Sequence, residues 1–175
     1  MSDLTTPSFQ GEEMLKYWLL PDTHFGHHKM QEYCGRAEGF EEKILKNVGQ
    51  WVSRGDVLIH LGDFCIYKDA EWHKRFMDVC AGKRWLVRGN HDRKSLGWYF
   101  DHGWHCVADE IKLTVFGKTI VFSHKPLAEG DFDINVHGHL HNTGHHPEAE
   151  MGTKNRLVFI EHKYMPINLR NVVEG

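Results

Sequence analysis

The chain has 175 residues, of which 41% are hydrophobic and 26% charged, and its formal net charge is −3. This composition is typical of one globular domain spanning 1–175, in which the polar residues 1–13 form a loose N-terminal extension. It indicates no general attraction to nucleic acid, and no apolar stretch is long enough to cross a bilayer, so we expect a cytoplasmic protein without a membrane partner.

The histidine and cysteine residues indicate which kinds of metal, redox or proton chemistry the protein can support. The chain has 15 histidines and 4 cysteines. No two cysteines have the Cys-x-x-Cys spacing of a zinc-thiolate or redox site, so they are interpreted as small buried residues. The abundance of imidazole favours metal or proton chemistry.

The first half of the sequence alternates predicted strands and helices. Apolar runs predict strands at 15–21, 57–61 and 84–88. Apolar residues at helical spacing predict helices at 40–54, 69–81 and 92–102, as where Phe40, Ile44, Val48 and Trp51 recur on one face.

The second half is predicted to consist mainly of strands. They span 104–107, 110–116, 119–123, 134–137 and 157–161, with Gly117-Lys118 as a tight hairpin turn and a weakly patterned tail at 166–175. Alternating strands and helices that are followed by further strands predict an α/β sandwich of two sheets with helices outside.

Five of the apolar runs end in side chains that can bind metals or transfer protons. In chain order these are Asp22 and His24, Asp63, Asn90 and His91, His124, and His139 and His141. Functional groups gather where the strands of α/β sheets end, so we expect these side chains to meet. Taken alone, Gly89-Asn90-His91-Asp92 could also be a simple turn with Asp92 as a helix cap.

The donor set indicates divalent metal ions. Imidazoles, carboxylates and one amide oxygen, without thiolate, form the nitrogen–oxygen environment of first-row divalent metals. The donors are too many for one ion. Two ions about 3.5–4 Å apart that share a carboxylate would use them all and would suit phosphoester hydrolysis.

The same residues resemble the motifs of the calcineurin-like metallophosphoesterases. Asp22-x-His24, Gly62-Asp63, Gly89-Asn90-His91-Asp92, His124 and Gly138-His139-x-His141 occur in that family's order over residues 22–141. The stretch Asp22-Thr23-His24-Phe25-Gly26-His27 is similar to a small, uncapped, single-domain subgroup. The resemblance implies the family's α/β fold, a four-layer α-β-β-α sandwich of two mixed sheets.

The resemblance also implies a role for each motif residue. Asp22, His24 and His141 would hold one metal ion, Asn90, His124 and His139 a second, and Asp63 would bridge both. A bridging hydroxide would attack phosphorus in line, while His91 protonates the leaving oxygen and Asp92 orients His91. We expect two divalent ions, with manganese as the first choice and iron, zinc or nickel as alternatives.

Three further residues are predicted to contact the substrate. Arg36 could clamp a phosphate with its guanidinium, His27 lies in the first motif loop, and Arg88 precedes the third motif. Their alternatives are ordinary surface cations for the arginines and a solvated loop residue for His27. His60 and His137 lie inside strands and are interpreted as hydrogen-bonded core residues that support the site.

The resulting hypothesis is a binuclear metal-dependent phosphoesterase that prefers small or nucleotide-type phosphodiesters. A phosphomonoesterase or pyrophosphatase with the same site is one alternative, and a non-catalytic protein-binding scaffold is an alternative of another class. Phe64-Cys65 after Asp63 departs from the Asp-Arg-Gly pattern of serine/threonine protein phosphatases, so phosphoproteins are not expected substrates. Net charge does not indicate single-stranded nucleic acid as a partner, and the sequence leaves the oligomeric state open.

Overall fold

The computed structural model describes residues 15–142 and 152–175, so the predicted extension 1–13 lies outside the described residues. The strands are β1 (Tyr17–Leu20), β2 (Val57–His60), β3 (Lys83–Val87), β4 (Cys106–Ala108), β5 (Glu110–Val115), β6 (Lys118–Ser123), β7 (Ile134–His137), β8 (Asn155–Leu157) and β9 (Ile167–Asn168). The helices are α1 (Met30–Cys34), α2 (Phe40–Trp51), α3 (Asp69–Val79), α4 (Leu96–Asp101) and α5 (Leu169–Glu174). None of these described helices has the length and apolar character needed to span a membrane.

The strands form two mixed sheets, as predicted. The first has the order β4-β3-β2-β1-β9, in which β1 to β4 run parallel and β9 is antiparallel to β1. The second has the order β5-β6-β7-β8, with an antiparallel β5–β6 pair and parallel pairing of β6, β7 and β8. Because parallel strands end at the same edge of a sheet, the loops after β1, β2 and β3 are neighbours, and so are the loops after β6 and β7.

Apolar side chains fill two layers. The layer between the first sheet and helices α1 to α4 includes Leu20, Leu58, Phe40, Ile44 and Phe76. The layer between the two sheets includes Leu19, Ile59, Val87, Phe122 and Val136. Neighbouring residues of β1 and β2 thus enter different layers, which explains why these strands are apolar at nearly every position.

In the part of the chain that the structure describes, a loop, and not a helix, covers β7 on the outer face of the second sheet. Asn135 of β7 is fully buried there. Its Oδ1 accepts the backbone N–H of Leu127 at 2.9 Å, and its Nδ2 donates to the Ser123 hydroxyl at 2.8 Å. Within the described residues, the loop 124–133 therefore covers this strand, while helices α1 to α4 flank the first sheet.

The third helix begins later than predicted. Instead of spanning 92–102, α4 begins at Leu96, and the Ser95 hydroxyl caps it by accepting the Trp98 N–H. Asp92 is committed elsewhere, because its carboxylate accepts backbone N–H groups of the loops after β2 and β3. Residues 89–95 consequently remain a loop held against the end of β2.

One other local prediction, the position of the β5–β6 turn, is wrong, and the tail without a predicted structure is folded. The β5–β6 turn consists of Phe116-Gly117, with φ values of 54° and 70°, because Val115 pairs with Lys118 and leaves these two residues between the strands. The tail 166–175 forms β9 and α5. Pairing of β9 with β1 and burial of Leu169 between the sheets stabilise this tail, and both contacts are tertiary.

Candidate metal centre

The motif residues converge at one edge of the two sheets. Asp22 and His24 follow β1, Asp63 follows β2, Asn90 and His91 follow β3, His124 follows β6, and His139 and His141 follow β7. Backbone hydrogen bonds continue beyond the strands, from Asp22 N–H to the Gly62 carbonyl at 3.1 Å and from His24 N–H to the Asp63 carbonyl at 3.0 Å. The first two motif loops are therefore fixed against each other.

Five motif residues have a left-handed backbone conformation. Their φ values lie between 45° and 68°, and they are Asp22, His24, Asp63, His139 and His141. Such conformations cost on the order of 1–3 kcal/mol per non-glycine residue and cluster at functional sites. In the described part of the chain, the other non-glycine residues with positive φ are Lys68, Phe116 and Tyr164, so this strain is concentrated in the motifs.

One group of donors consists of Asp22, His24 and His141. One ligand atom from each lies within 4.8 Å of the other two. Asp22 and His24 are buried, yet Asp22 Oδ1 and both ring nitrogens of His24 have no hydrogen-bond partner among the described residues. Buried polar atoms without partners are costly, and a bound cation would satisfy these atoms.

The pKa values of the three residues in this group are shifted in different directions. Burial raises the pKa of Asp22 to about 6. Burial lowers the pKa of His24 well below its usual value, so this imidazole is neutral and keeps a lone pair for coordination. Burial alone would lower the pKa of His141 as well, but its hydrogen bonds with Cys34 and Glu161 raise it to about 10.

A second group surrounds His124. Its Nδ1–H donates to the Leu61 carbonyl at 2.9 Å, and its Nε2 lies 3.1 Å from Asn90 Oδ1 and 3.0 Å from His139 Nδ1. Burial alone would lower the pKa of His124, but the hydrogen bond with Asp63 and the charge of Asp22 raise it to about 9. These carboxylates therefore favour a positive charge among the converging donors.

Asp63 lies between the two groups. Its Oδ2 is 3.6 Å from His24 Nε2 and 3.4 Å from His124 Nε2. Its Oδ1 accepts the backbone N–H of His91 at 2.9 Å. Burial alone would raise the pKa of Asp63, but the hydrogen bond and charge of His124 hold it below its usual range, so the carboxylate is ionised.

His91 and Asp92 have different surroundings. The His91 side chain is 38% exposed, and its Nε2 lies 4.0 Å from Asp63 Oδ2 at the mouth of the site. The buried Asp92 carboxylate instead accepts the N–H groups of Asp63, Phe64 and Gly89 at 2.7, 3.1 and 2.8 Å. The predicted role of Asp92 in orienting the His91 ring is thus replaced by a role in holding the backbone around Asp63.

The position of the Arg36 side chain contradicts the prediction that this residue contacts a phosphate. Its side chain is fully buried, and its guanidinium donates to the Asp22 and Thr23 carbonyls at 2.6 and 2.7 Å. It also pairs with Glu161 at 2.6 Å. These partners face the backbone of the first motif loop and leave no surface of the guanidinium open to a substrate.

The other two predicted substrate residues border the opening. Arg88 lines a cleft of about 300 Å³ together with Asn90, His124 and Lys125, but its guanidinium pairs with Asp109 at 2.6 Å. The half-buried His27 ring lies 5.7 Å from the His24 ring on the other side. Both positions are compatible with substrate contact, although the charge of Arg88 is already paired.

His60 supports two motif loops, as its place inside β2 suggests. Its Nδ1 accepts the Gly62 N–H at 3.1 Å, so Nε2 carries the proton and donates to the Thr23 hydroxyl at 3.0 Å. That hydroxyl donates in turn to the Phe64 carbonyl at 2.7 Å. Burial lowers the pKa of His60 to about 3, which keeps the ring in the neutral form that this chain of hydrogen bonds requires.

Glu161 is absent from the set of residues that the sequence predicts. It is buried, and its Oε1 accepts the His141 Nδ1–H at 3.0 Å. The available signal was its position at the end of the apolar stretch 157–161, which is another apolar run that ends in a polar group. A carboxylate hydrogen-bonded to one imidazole nitrogen directs the other nitrogen toward a metal ion.

A larger groove of about 790 Å³ lies apart from these donors. Trp51, Phe116, Met165 and Val172 are among the residues that line it, and no motif residue is among them. Although this groove is larger than the cleft beside Arg88, it is not the candidate reactive site, because the metal-binding side chains converge elsewhere.

The fold and the two groups of donors define a metal-dependent hydrolase. The sequence model of the calcineurin-like phosphoesterases matches residues 15–166. The chain therefore belongs to the calcineurin-like phosphoesterase family, which makes it a metal-dependent phosphoesterase.

Three proteins illustrate what the chain is similar to in sequence or fold. An uncharacterized protein of Methanocaldococcus jannaschii is 25% identical over 175 residues, covering 92% of this chain and 91% of the relative. The crystal structure of a protein of unknown function from Aquifex aeolicus is 23% identical, with a TM-score of 0.74 over 91% of this chain and 98% of that chain, and it shows the same fold. The nuclease MPE of Pseudomonas putida is 26% identical, but its TM-score of 0.48 over 71% of this chain and 61% of that chain supports no argument about activity.

Proposed function

We propose that this protein is a binuclear metal-dependent phosphodiesterase that hydrolyses small or nucleotide-type diesters. The observation that carries the proposal is the position of Asp63 Oδ2 between two groups of donors, 3.6 Å from His24 Nε2 and 3.4 Å from His124 Nε2. A carboxylate placed in this way can serve two cations at once, which two-metal phosphoesterases require.

Each group would hold one divalent ion. Asp22, His24 and His141 would hold the first, Asn90, His124 and His139 the second, and Asp63 would bridge them. Manganese is the proposed metal because carboxylate and amide-oxygen donors suit it, and iron, zinc or nickel, which imidazole donors suit, are the alternatives. The bound ions would supply activation of the attacking water and neutralisation of the charge that develops on the phosphoryl group.

The chain's own residues then complete the displacement. Water attacks phosphorus opposite the leaving oxygen, and the phosphorus–oxygen bond to the leaving group breaks. His91 would donate a proton to the departing oxygen, because its imidazole is exposed at the mouth and its backbone is anchored by Asp63 Oδ1. Asp92 keeps the Asp63 loop in place and does not itself meet the substrate.

The distribution of cations supports a diester over a monoester. A monoester carries close to two negative charges at neutral pH, because its second pKa is about 6, whereas a diester carries one. The guanidinium of Arg36 is buried, and that of Arg88 is paired with Asp109. These two guanidinium groups are therefore not free to neutralise the additional charge of a monoester.

The test compares bis(nitrophenyl) phosphate with nitrophenyl phosphate after reconstitution with Mn²⁺. We expect two Mn²⁺ per chain and faster hydrolysis of the diester at equal concentration. Asp63→Asn should lose more metal and more activity than Asn90→Ala, because it removes the charge shared by both ions. A clear preference for the monoester would overturn the substrate assignment, and a single saturable metal site would overturn the binuclear centre.

A further inference from the structure

Arg36 and Glu161 form an ion pair beneath the first group of donors. Arg36 Nη2 lies 2.6 Å from Glu161 Oε1, and both side chains are almost completely excluded from solvent. The two residues are 125 positions apart in the sequence, and neither belongs to a motif. The pair therefore joins two distant segments at the base of the site.

Each member of the pair holds a different motif loop. Arg36 donates to the carbonyls of Asp22 and Thr23 at 2.6 and 2.7 Å. Glu161 accepts the His141 Nδ1–H at 3.0 Å, which leaves Nε2 as the nitrogen available to an ion. The backbone around Asp22 and the ring of His141 are thus held by one connected set of charge-assisted hydrogen bonds.

We propose that Arg36 and Glu161 are positioning residues that bring Asp22 and His141 together as one metal site. This inference rests on the proposed function, since it concerns the first of the two ions. Asp22 and His141 both have a left-handed backbone, with φ values of 45° and 49°, and the loops that carry them come from different sheets. Tertiary contacts keep these loops in register. The His139 N–H donates to Asp22 Oδ2 at 2.8 Å, and the ion pair reaches both the Asp22 backbone and the His141 ring.

A purely stabilising role explains this pair less well. Burying two charges costs free energy that their attraction repays only partly, and apolar residues of similar volume are often as stable. The geometry of the pair, in contrast, is specific, because one guanidinium reaches two consecutive carbonyls and a carboxylate at the same time.

A separate metal site at this place is also disfavoured. Cys34, His141 and Glu161 do offer three ligand-type atoms within 4.8 Å of one another. However, Arg36 Nη2 lies 2.6 Å from Glu161 Oε1, and the charge of this guanidinium would repel a cation bound to either oxygen of the carboxylate. The carboxylate consequently acts through His141.

The test is the double substitution Arg36→Met/Glu161→Leu, which removes both buried charges and leaves neither one unpaired. Titration of the metal-free protein with Mn²⁺, followed by calorimetry and electron paramagnetic resonance, measures each binding step and the magnetic coupling between ions. We expect affinity for the first ion to fall about 10–100-fold, the usual effect of removing groups that orient ligands, while the second site is retained. The coupled Mn²⁺ signal should be replaced by that of an isolated ion.

Two further variants separate positioning from stability. Asp56→Ala removes another buried carboxylate, one that accepts the Trp18 Nε1–H at 2.9 Å at the opposite end of β2, and it should leave both metal affinities unchanged. Glu161→Gln keeps an oxygen that can accept the His141 N–H, so its loss of affinity should be smaller than that of the double variant. Glu161→Gln changes almost no volume, which keeps the test decisive if the double variant does not fold.

Wild-type affinity at both sites in the folded double variant would overturn the positioning role, and so would equal losses in Asp56→Ala. If the wild-type protein itself bound only one ion, the binuclear proposal would fail. Weakened binding of that ion in the variants would still support the role of Arg36 and Glu161.

Discussion

His91 is placed to take part in the reaction and not to bind a metal ion. Its Nε2 lies 4.0 Å from Asp63 Oδ2, and its side chain is 38% exposed. Most residues proposed as ligands from the same edge, such as His24 and His124, are buried, whereas Asn90 is exposed and His139 half-buried. An exposed imidazole beside buried donors is suited to proton transfer to a substrate oxygen.

For His91→Ala, we expect both metal ions to be retained and the rate on alkyl or nucleotide diesters to fall roughly 10²–10⁴-fold. The loss should be much smaller for nitrophenyl esters, because nitrophenolate departs without a proton. Metal content and initial rates on both ester types, measured on the same preparation, check this expectation. Equal losses on both esters would argue that His91 binds the phosphate, and loss of an ion would argue that it is a ligand.

The histidines in the two donor groups make metal binding dependent on pH. The raised pKa values of His124 and His141, about 9 and 10, mean that both rings are protonated at pH 7 before an ion binds. Coordination displaces these protons, so metal affinity should increase as pH rises from 7 to 9. Calorimetry at pH 7 in buffers with different ionisation enthalpies should reveal the release of about two protons per chain. Binding heats that do not depend on the buffer would contradict this expectation.

The same shifts affect the stability of the protein without bound ions. A histidine whose folded-state pKa is raised contributes stability that is fully present below its unfolded value. For His124 and His141, this contribution is present below pH 6.5 and is lost as pH rises through about 9 and 10. Bound metal should therefore protect the fold most strongly at alkaline pH.

At the level of elements, the loops after β2 and β3 meet at Gly89. A Cβ atom at this position would overlap the Asp63 carboxylate, and it would also approach the Asp63 backbone nitrogen too closely. The absence of a side chain thus allows the third motif loop to lie directly on the residue proposed as the bridge. Glycine is therefore required at position 89 because Asp63 leaves no room for a side chain, and not because of the φ angle.

Gly89→Ala should therefore displace Asp63 and reduce the number of bound ions and the activity, while leaving the secondary structure unchanged. Gly97→Ala is the matched control, because nothing lies within 4 Å of a Cβ there. Gly97 is in α4, where alanine should stabilise the protein by about 0.5–1 kcal/mol. Circular dichroism, metal analysis and rates on a diester would test the pair. Full metal content in Gly89→Ala would show that the two loops can separate without consequence.

At the level of the whole molecule, the C-terminal segment closes the space between the sheets. β9 pairs with β1 at the edge of the first sheet, and α5 places Leu169 and Val173 in the apolar layer that also contains residues of β6 and β7. The segment thus connects β1 to α5. Each half of the metal centre takes residues from both sheets, so both halves depend on the layer between the sheets.

Leu169→Ala should lower the free energy of unfolding by about 2–5 kcal/mol, because it removes a fully buried side chain from this layer. Asn171→Ala, at an exposed position in the same helix, should change it by less than about 0.5 kcal/mol. Urea denaturation of both variants measures the difference. Similar stabilities would indicate that α5 contributes little to the packing between the sheets.

The pattern of amino acids was enough to predict which positions meet at the edge of the sheets. Short apolar runs that end in Asp22, Asp63, His124 and His139 predict buried parallel strands, and strands of that kind bring their carboxyl ends together whatever the loops do. The two mixed sheets and the family follow from this pattern, and both are confirmed. The roles of these residues as metal ligands remain predictions for the experiments described above.

The contacts of the other polar side chains depend on the folded chain, and the pattern of amino acids did not predict them. Arg36 and Asp92 were predicted at the substrate and at the His91 ring, but Arg36 pairs with Glu161 and Asp92 accepts three backbone N–H groups. A long or buried polar side chain takes whichever partner the fold brings to it, and here that partner is 125 residues away for Arg36. The structure of the tail 166–175 could not be predicted for the same reason. The pairing of β9 with β1 and the burial of Leu169 form only when the two sheets pack together.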